Sequence, residues 1–315
     1  MRLPGRLVLA VAAGGVLIGS VLSARAVPAD AATTAASAWT ATADASAWTA
    51  GARPVAGPRA TAGPTRVHAP GAALENEATG RLLWSRGLDT KRPIGSIAKV
   101  VTALVVLRDG GLNRKITVSQ AAIDYARRYG GSSAGLHAGD TLTTQQLLEG
   151  MLVPSGCDAA YVLASAYGPG LTAFVRTMNA TARALGLGRS HFSNADGLPV
   201  PTEHSTYSTP RDLLVIGRAA MAYPLFRAIV AQHRVALPAG PGHHAYIWHT
   251  TNDLISKYPG MIGIKTGFTL AAGYCLLFAD QRRSGTLIGV VLDSSPTIRS
   301  YSFTDTEQLL NWGFR

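Results

Sequence analysis

The sequence has little cysteine and little charge. Two cysteines, Cys157 and Cys275, stand among 315 residues, too few for a disulfide framework. No cysteine lies near the amino terminus, which argues against a lipoprotein anchor, and no apolar run after the first is long enough to span a membrane. Charged residues make up 15% and hydrophobic residues 47% of the chain, so there is ample apolar material for one or two folded domains.

Acidic residues are scarce as well. Asp and Glu number 18 against 29 Lys and Arg, a formal net charge of +11. This balance favours anionic surroundings, such as nucleic acid, an acidic membrane face or an anionic wall polymer. No nucleic-acid motif accompanies the arginine pairs at 127–128 and 282–283, so we interpret these as surface charge and expect no nucleic-acid partner. Anionic wall polymers remain a candidate partner.

Lysine is rare among the basic residues. A buried lysine can give up its proton, whereas arginine in a protein cannot. Each lysine is therefore a candidate for chemistry that arginine cannot perform. The lysines are Lys91, Lys99, Lys115, Lys257 and Lys265.

The amino terminus has the pattern of an export signal. Arg2 and Arg6 precede an apolar run over residues 7–22, and small-x-small cleavage sites follow, the first ending at Ala26. The pattern predicts a signal peptide over residues 1–26 and an exported protein of the cell wall or extracellular space. If the segment is not cleaved, it is long enough to hold the protein at the outer face of the membrane.

Residues 27–70 differ in composition from the rest. They are rich in Ala, Thr, Pro and Gly, and the sequence Ala-Ser-Ala-Trp-Thr-Ala occurs at 36–41 and again at 45–50. Because this segment contains few large aliphatic residues, it is predicted to be a disordered spacer. The folded domain is then expected over residues 71–315.

The pattern of this domain predicts strands at both ends and helices between them. Thr79-Gly80 separates two short runs and predicts a hairpin, and a broad apolar face predicts a helix over 97–109. Residues 120–230 have a mostly helical pattern. Strands are predicted at 261–265, 274–279 and 286–292, before a closing helix at 304–312. The predicted fold class is α+β, with one antiparallel sheet built from both chain ends and a mostly helical inserted subdomain.

The first candidate site is Ser96-Ile97-Ala98-Lys99. Residues i and i+3 share a helix face, so Oγ of Ser96 and Nζ of Lys99 are expected within reach of each other. A serine hydroxyl needs a base to become a nucleophile, and a neutral lysine can be that base. Lys99 also interrupts an apolar run, so it must either extend to solvent or face a polar cleft. A capping serine beside a solvated lysine is the alternative.

Two further motifs are weak alone. Lys265-Thr266-Gly267 ends an apolar strand, where a lysine and a hydroxyl could hold a carboxylate and Gly267 would allow close backbone approach; an exposed edge lysine is the alternative. Ser155-Gly156-Cys157 lies between two predicted helices, where the serine is either an active-site hydroxyl or a helix cap.

The order of the three motifs along the chain is specific. A serine–lysine pair, a serine motif about sixty residues later and a Lys-Thr-Gly strand form the signature set of penicillin-binding proteins and class A β-lactamases. From about Ala72 to Arg315 the sequence resembles the low-molecular-weight penicillin-binding proteins, the serine-type D-alanyl-D-alanine carboxypeptidases of peptidase family S11. Further matching segments are Gly139-Asp140, Phe192-Ser193-Asn194, Gly197-Leu198 and Thr251-Asn252.

The resemblance implies a fold and a reaction. The fold would be the three-layer α/β/α arrangement of β-lactamases and DD-peptidases, with helices on both faces of the sheet. The substrates would be peptidoglycan stem peptides ending in D-Ala-D-Ala, β-lactams would inhibit, and no cofactor or metal is implied. Because the chain ends about where the catalytic domain of this family would end, we expect one folded domain and no carboxy-terminal anchor.

The resemblance also implies residue roles. Ser96 would be the nucleophile, Lys99 its base and Ser155 the proton relay to the leaving amine. Lys265 and Thr266 would bind the terminal carboxylate, beside Gly267. The backbone N–H groups of Ser96 and Phe268 would form the oxyanion hole.

One position departs from the family. Cys157 stands where asparagine is usual, and a thiol is a weaker hydrogen-bonding group than a carboxamide. Cys157 is therefore a substrate-binding candidate whose effect on the balance between hydrolysis and transfer is open. As a nucleophile it has no histidine paired with it in the sequence.

The sequence leaves two other functions open. A β-lactamase would need an extra base between the second and third motifs, and the one acidic candidate of that type is Glu203, whose context does not match. A non-catalytic wall-binding protein would fit the Cys157 change and the basic, tailed chain, but the other motif residues are intact. His243, His244 and His249 cluster without a carboxylate or cysteine at a zinc-binding spacing, so no metal site is expected.

Overall fold

The computed structural model describes residues 63–315. The signal peptide predicted over 1–26 and the part of the predicted spacer from 27 to 62 lie outside the described residues. Within the described range, the strands are β1 (Gly71–Asn76), β2 (Leu82–Arg86), β3 (Arg92–Pro93), β4 (Lys115–Thr117), β5 (Thr141–Thr143), β6 (Tyr207–Ser208), β7 (Arg234–Leu237), β8 (Tyr246–His249), β9 (Met261–Thr269), β10 (Gly273–Arg282) and β11 (Gly285–Leu292).

The helices of the same range lie mainly between β2 and β9. They are α1 (Lys99–Asp109), α2 (Gln120–Arg128), α3 (Thr144–Leu152), α4 (Cys157–Ala166), α5 (Leu171–Ala184), α6 (Pro210–Met221), α7 (Pro224–Val230), α8 (Leu254–Lys257) and α9 (Ser300–Gly313), and a 3-10 turn, Gly95–Ala98, precedes α1. No single helix of residues 63–315 is long and apolar enough to cross a membrane; α6 and α7 meet that criterion only as a pair, across a 107° bend.

The main sheet is built from both ends of the folded region, as predicted. Its strand order is β2-β1-β11-β10-β9, and every neighbouring pair is antiparallel. The hairpin predicted around Thr79-Gly80 joins β1 and β2. The three predicted late strands are present and longer than the apolar runs that indicated them.

Alternation along the strands gives the sheet two apolar faces. In β10, Leu277 and Ala279 belong to one buried cluster, whereas Leu276 and Phe278 belong to the other. Successive side chains of a strand point to opposite faces, so a strand buried on both sides consists almost wholly of apolar residues. This is why the strands appear in the sequence as short continuous apolar runs.

Helices cover both faces of the sheet. Helix α9 contributes Phe303, Leu309 and Leu310 to the smaller buried cluster, which also contains Leu276 and Phe278. On the other face, α6 packs against β1 and β11, and the inserted helices lie beyond it. The three-layer α/β/α fold with a mostly helical insertion is confirmed.

The folded region begins before residue 71. Val67 and Ala69 are buried, and the backbone N–H groups of His68 and Ala69 donate to the buried carboxylate of Asp305 at 2.7 and 2.8 Å. Residues 67–69 therefore pack on the folded domain that was predicted over 71–315. Composition did not reveal this, because the contact partner lies in α9 at the far end of the chain.

One small hairpin of the insertion was not predicted. Strands β7 and β8 pair from Arg234 opposite His249 to Leu237 opposite Tyr246. Each strand has four residues, and their buried side chains are few, so the apolar pattern is weak. The hairpin places Trp248 against the segment that leads to the second motif, where its indole N–H donates to the backbone oxygen of Ala134 at 2.7 Å.

Candidate active site

Ser96 and Lys99 are in direct contact. Ser96 lies in the 3-10 turn and Lys99 is the first residue of α1, so the two side chains leave the same face of the chain. Nζ of Lys99 donates to Oγ of Ser96 at 2.7 Å. The predicted contact between i and i+3 is confirmed, although the helix itself begins two residues later than the predicted Ile97.

Lys99 faces a polar pocket and does not extend to solvent. Its side chain is fully buried. Besides Ser96, its Nζ donates to the backbone oxygen of Asp196 at 3.1 Å and to Sγ of Cys157 at 3.4 Å. A buried amine is tolerated when its protons have partners, and here three partners fix its position beside the serine.

Glycines bring three backbone segments together around the serine. A Cβ at Gly267 would lie 2.3 Å from the backbone oxygen of Ile94, and one at Gly197 would lie 1.9 Å from that of Gly95. Gly95 and Gly197 also have positive φ angles, +50° and +83°, which favour glycine. The turn that carries the serine is therefore wedged between β9 and the 193–200 loop.

The close contact between β9 and the serine turn also positions the backbone N–H of Phe268, the second predicted donor of the oxyanion hole. A Cβ at Gly95 would lie 2.7 Å from the backbone nitrogen of Phe268, so this nitrogen adjoins the turn of Ser96. The side chain of Phe268 is 43% exposed and stacks on Tyr274 with ring centroids 4.3 Å apart. The backbone of residue 268 thus faces the turn while its ring forms part of the cleft rim.

Lys265 and Thr266 lie on β9 next to this turn. Lys265 is buried, and its Nζ donates to the backbone oxygen of Thr266 at 3.2 Å and to its Oγ1 at 3.4 Å. Burial, together with the positive charge of Lys99, holds the pKa of Lys265 well below the usual lysine range. The solvated edge lysine that was the alternative is excluded.

Ser155 is held in an unusual backbone conformation between α3 and α4. Its φ is +69°, and a non-glycine residue in this region is typical of functional sites. Hydrogen bonds on both sides hold the loop, from Gly156 N–H to the oxygen of Gly150 at 3.1 Å and from Cys157 N–H to that of Ser132 at 2.7 Å. The capping residue of α4 is Gly156, so Ser155 is not a helix cap.

One cavity of about 430 Å³ unites most of the predicted site. Lys99 and Lys265 are buried behind its wall and reach it through the hydroxyls they contact. The predicted residues that line it are Ser96, Ser155, Cys157, Thr266, Gly267 and Phe268. All eight residues named from the sequence are therefore in or directly behind one cleft.

Cys157 is a wall of this cavity and not a reactive thiol. It is fully buried, and burial raises the pKa of its thiol to about 11 against the opposing effect of the nearby Lys99 charge. A thiol with that pKa is protonated near neutral pH and is a poor nucleophile. Cys275 is likewise free and buried in β10, as expected of an ordinary strand residue.

The sequence did not single out every residue that shapes the site. Oγ1 of Thr251 lies 2.6 Å from Oγ1 of Thr266, and the guanidinium of Arg299 donates to the backbone oxygen of Thr251 at 2.9 Å and to Asp253 at 2.8 Å. Thr251 and Arg299 both line the cavity. Thr251 lies in one of the segments that resemble the family but has no predicted role, and no motif near Arg299 in the sequence marks that residue.

The cavity has a cationic character. Of the described residues that line it, none is a carboxylate, while the guanidinium of Arg299 is on its surface. Glu203, the β-lactamase candidate, is exposed and does not line the cavity. The arrangement offers a nucleophile, a base and a guanidinium cation for an anionic ligand, but no carboxylate to activate water in the cavity wall.

Comparison with known proteins agrees with this geometry. Residues 58–296 match the S11 peptidase family, described as D-alanyl-D-alanine carboxypeptidase. The D-alanyl-D-alanine carboxypeptidase of Streptomyces sp. strain K15 is 39% identical over 260 residues, which are 79% of this chain and 88% of that protein. The D-alanyl-D-alanine carboxypeptidase DacB2 of Mycobacterium tuberculosis is 36% identical over 241 residues, 75% of this chain and 79% of that protein.

The solved structures give the same result. The crystal structure of the Streptomyces K15 DD-transpeptidase superposes with a TM-score of 0.75 at 38% identity, covering 81% of this chain and 99% of that one. A penicillin-binding protein homologue from Mycobacterium tuberculosis superposes with a TM-score of 0.73 at 31% identity, covering 82% and 96%. With the Ser96–Lys99 pair, the Ser155 loop and the Lys265 strand assembled in one cleft, this chain belongs to the D-alanyl-D-alanine carboxypeptidase family of serine peptidases.

Proposed function

We propose that this protein cleaves the terminal D-Ala from peptidoglycan stem peptides ending in D-Ala-D-Ala, through an acyl-enzyme on Ser96. The observation that carries the proposal is the 2.7 Å contact between Ser96 Oγ and Lys99 Nζ at the wall of a cationic cleft. The names of its relatives, carboxypeptidase and DD-transpeptidase, support the same chemistry.

Acylation uses the first two motifs. Lys99, as a neutral amine, accepts the hydroxyl proton while Ser96 Oγ bonds to the carbonyl carbon of the penultimate D-Ala. The carbonyl oxygen becomes an oxyanion, which the N–H groups of Ser96 and Phe268 stabilise by on the order of 3 kcal/mol each. The C–N bond then breaks, and the leaving D-Ala nitrogen takes a proton relayed from Lys99 by the hydroxyl of Ser155.

Recognition of the leaving group uses the third motif. The substrate carboxylate is expected at Thr266, whose hydroxyl Lys265 and Thr251 position from behind and beside it. The cationic surroundings favour this carboxylate, and the absence of acidic side chains among the described lining residues leaves it without like-charge repulsion.

Release of the acyl group decides between two products. Water, activated by Lys99, gives the shortened peptide and restores the Ser96 hydroxyl. An amine of a second stem peptide gives a cross-link instead. Both acceptors enter where the D-Ala amine left, so one site can support hydrolysis and transfer.

The cellular setting is also proposed. The export pattern of residues 1–26 and the excess of basic residues support action in the cell wall, where anionic polymers would retain a protein of net charge +11. Trimming of stem peptides there would limit cross-linking and so affect wall organisation and cell shape. Cell fractionation tests the location: the proposal requires the protein outside the cytoplasm.

The reaction is tested by intact-protein mass spectrometry after incubation with benzylpenicillin. A lasting penicilloyl adduct is expected on the wild type and not on Ser96→Ala. Lys99→Met, which removes the base but keeps a similar volume, should slow acylation by about 10²–10⁴-fold. Absence of adduct and of D-Ala release would favour the wall-binding function, and rapid antibiotic turnover without a lasting adduct would favour a β-lactamase.

A further inference from the structure

Three residues distant in sequence form a compact cluster outside the active site. His244, one of the histidines that lack a local zinc-binding spacing, meets His137 and Asp140 from the segment between α2 and β5. Each offers one ligand atom, and these atoms all lie within 4.8 Å of one another. We propose that His137, Asp140 and His244 bind a zinc ion.

The histidine rings are placed on one side of the cluster. The rings of His137 and His244 stack with centroids 4.2 Å apart and an angle of 30° between their planes. Two nitrogens that bind one tetrahedral zinc at about 2.0–2.1 Å are about 3.3 Å apart. Both histidines are exposed, so small side-chain rotations bring their nitrogens to that spacing without disturbing the core.

Asp140 divides its two oxygens between structure and the proposed site. Oδ2 accepts from the backbone N–H of His244 at 2.9 Å and from the hydroxyl of Tyr246. Nδ1 of His244 lies 2.9 Å from Oδ1, which has no other partner among these contacts, and 3.1 Å from Oδ2. A zinc ion would replace the proton between Oδ1 and Nδ1 while Oδ2 keeps its two donors, which then orient the carboxylate as outer partners of a metal site do.

The donor set favours zinc over hard cations. Two imidazoles and one carboxylate match the ligands of zinc, whereas calcium and magnesium prefer sites made of oxygen atoms alone. Three protein ligands leave a fourth position of the tetrahedron for water, and the exposure of both histidines makes this position accessible.

The cluster joins two segments of the chain that are both connected to the active-site cavity. The segment that carries His137 and Asp140 begins at Gly130 and Ser132, which line the active-site cavity. His244 lies in the connection between β7 and β8, the hairpin whose Trp248 packs on the same segment. Zinc would tie the hairpin to the cavity wall, so its first effect should be on thermal stability.

The test is calorimetric titration of the full protein with zinc chloride, paired with thermal unfolding in zinc and in EDTA. One zinc per chain is expected for the wild type, with a higher Tm in zinc than in EDTA. His137→Ala and His244→Ala should each weaken the affinity about tenfold or more and remove the Tm difference.

The matched control is His243→Ala, because this histidine precedes His244 and is outside the cluster. It should bind zinc like the wild type. Unfolding in EDTA shows whether each variant is folded. No zinc binding by the wild type, or equal binding by all three folded variants, would overturn the proposal and leave the cluster as a hydrogen-bonded link between the two segments.

Discussion

Nζ of Lys99 lies 3.4 Å from Sγ of Cys157, a residue 58 positions away in sequence. The second motif therefore contacts the proposed base through a thiol, where the family usually has a carboxamide. The thiol is packed closely, since a Cβ at Gly131 would lie 2.9 Å from the same sulfur. Cys157 thus helps to position Lys99, and its weak hydrogen bond holds that amine less firmly than a carboxamide would.

Neither cysteine should react with thiol reagents in the folded protein. Burial raises the thiol pKa to about 11 for Cys157 and to about 12 for Cys275, so at pH 8 the thiolate of Cys157 is on the order of one part in a thousand. Titration with Ellman's reagent at pH 8 should detect no fast-reacting thiol in native protein and both thiols in guanidinium chloride. A fast native thiol that Cys157→Ser removes would show that the cavity wall opens in solution.

Thr251 should contribute to substrate binding through Thr266. Thr251→Val removes the hydroxyl 2.6 Å from Oγ1 of Thr266, a loss of about 1 kcal/mol, or about fivefold in kcat/KM. The change should appear mainly in KM, because the hydroxyl helps to hold the carboxylate and takes no part in bond making. Thr251→Ser keeps the hydroxyl and is the control. Equal losses in both variants, or a loss in kcat alone, would contradict this role.

Gly197 should be indispensable for the geometry of the serine turn. Gly197→Ala would place a Cβ 1.9 Å from the backbone oxygen of Gly95, at a φ of +83°. We expect a loss of about 2 kcal/mol or more in the free energy of unfolding, and slower acylation of Ser96 by penicillin.

The control for this change is Gly188→Ala. No heavy atom lies within 4 Å of a Cβ built there, and its φ is outside the positive region. Chemical denaturation should therefore give a free energy close to that of the wild type. A Gly197→Ala protein as stable and active as this control would show that the 193–200 loop can move away from the turn.

Lys265 should make stability rise with pH. Its folded pKa lies well below the ordinary lysine value of 10.5, so between these two pKa values the unfolded chain binds more protons than the folded one. As the pH rises through that window, the free energy of unfolding therefore increases by up to about 1.4 kcal/mol per pH unit. This stability is lost again as the pH falls towards the folded pKa.

The comparison that isolates this effect is wild type against Lys265→Met. The buried thiols titrate in an overlapping range with the opposite sign, and they are common to both proteins. Urea unfolding at a series of pH values below 10.5 should show the wild type gaining stability relative to the variant as the pH rises. A constant difference would mean that Lys265 keeps an ordinary pKa.

Much of this protein could be predicted from its sequence, because the information is local. The apolar runs of β9 to β11 and the apolar face of α1 reflect the hydrophobicity of the individual residues, which is visible in the sequence. A serine and a lysine three residues apart share one face wherever a helical turn forms. The order of the three motifs added specificity that none had alone. The local patterns predict the α+β fold, and the resemblance carried by the motif order implies the three-layer arrangement and the eight site residues.

What only the tertiary structure decided are contacts between residues far apart in the chain. Arg299 reaches Thr251, Cys157 reaches Lys99, and Asp140 reaches His244 because segments far apart in the chain pack against each other in the folded domain. Close backbone approach likewise fixes Gly197 against the serine turn, and burial by several elements at once sets the pKa of Lys265. Such effects depend on distance in space, and spacing along the chain does not encode them.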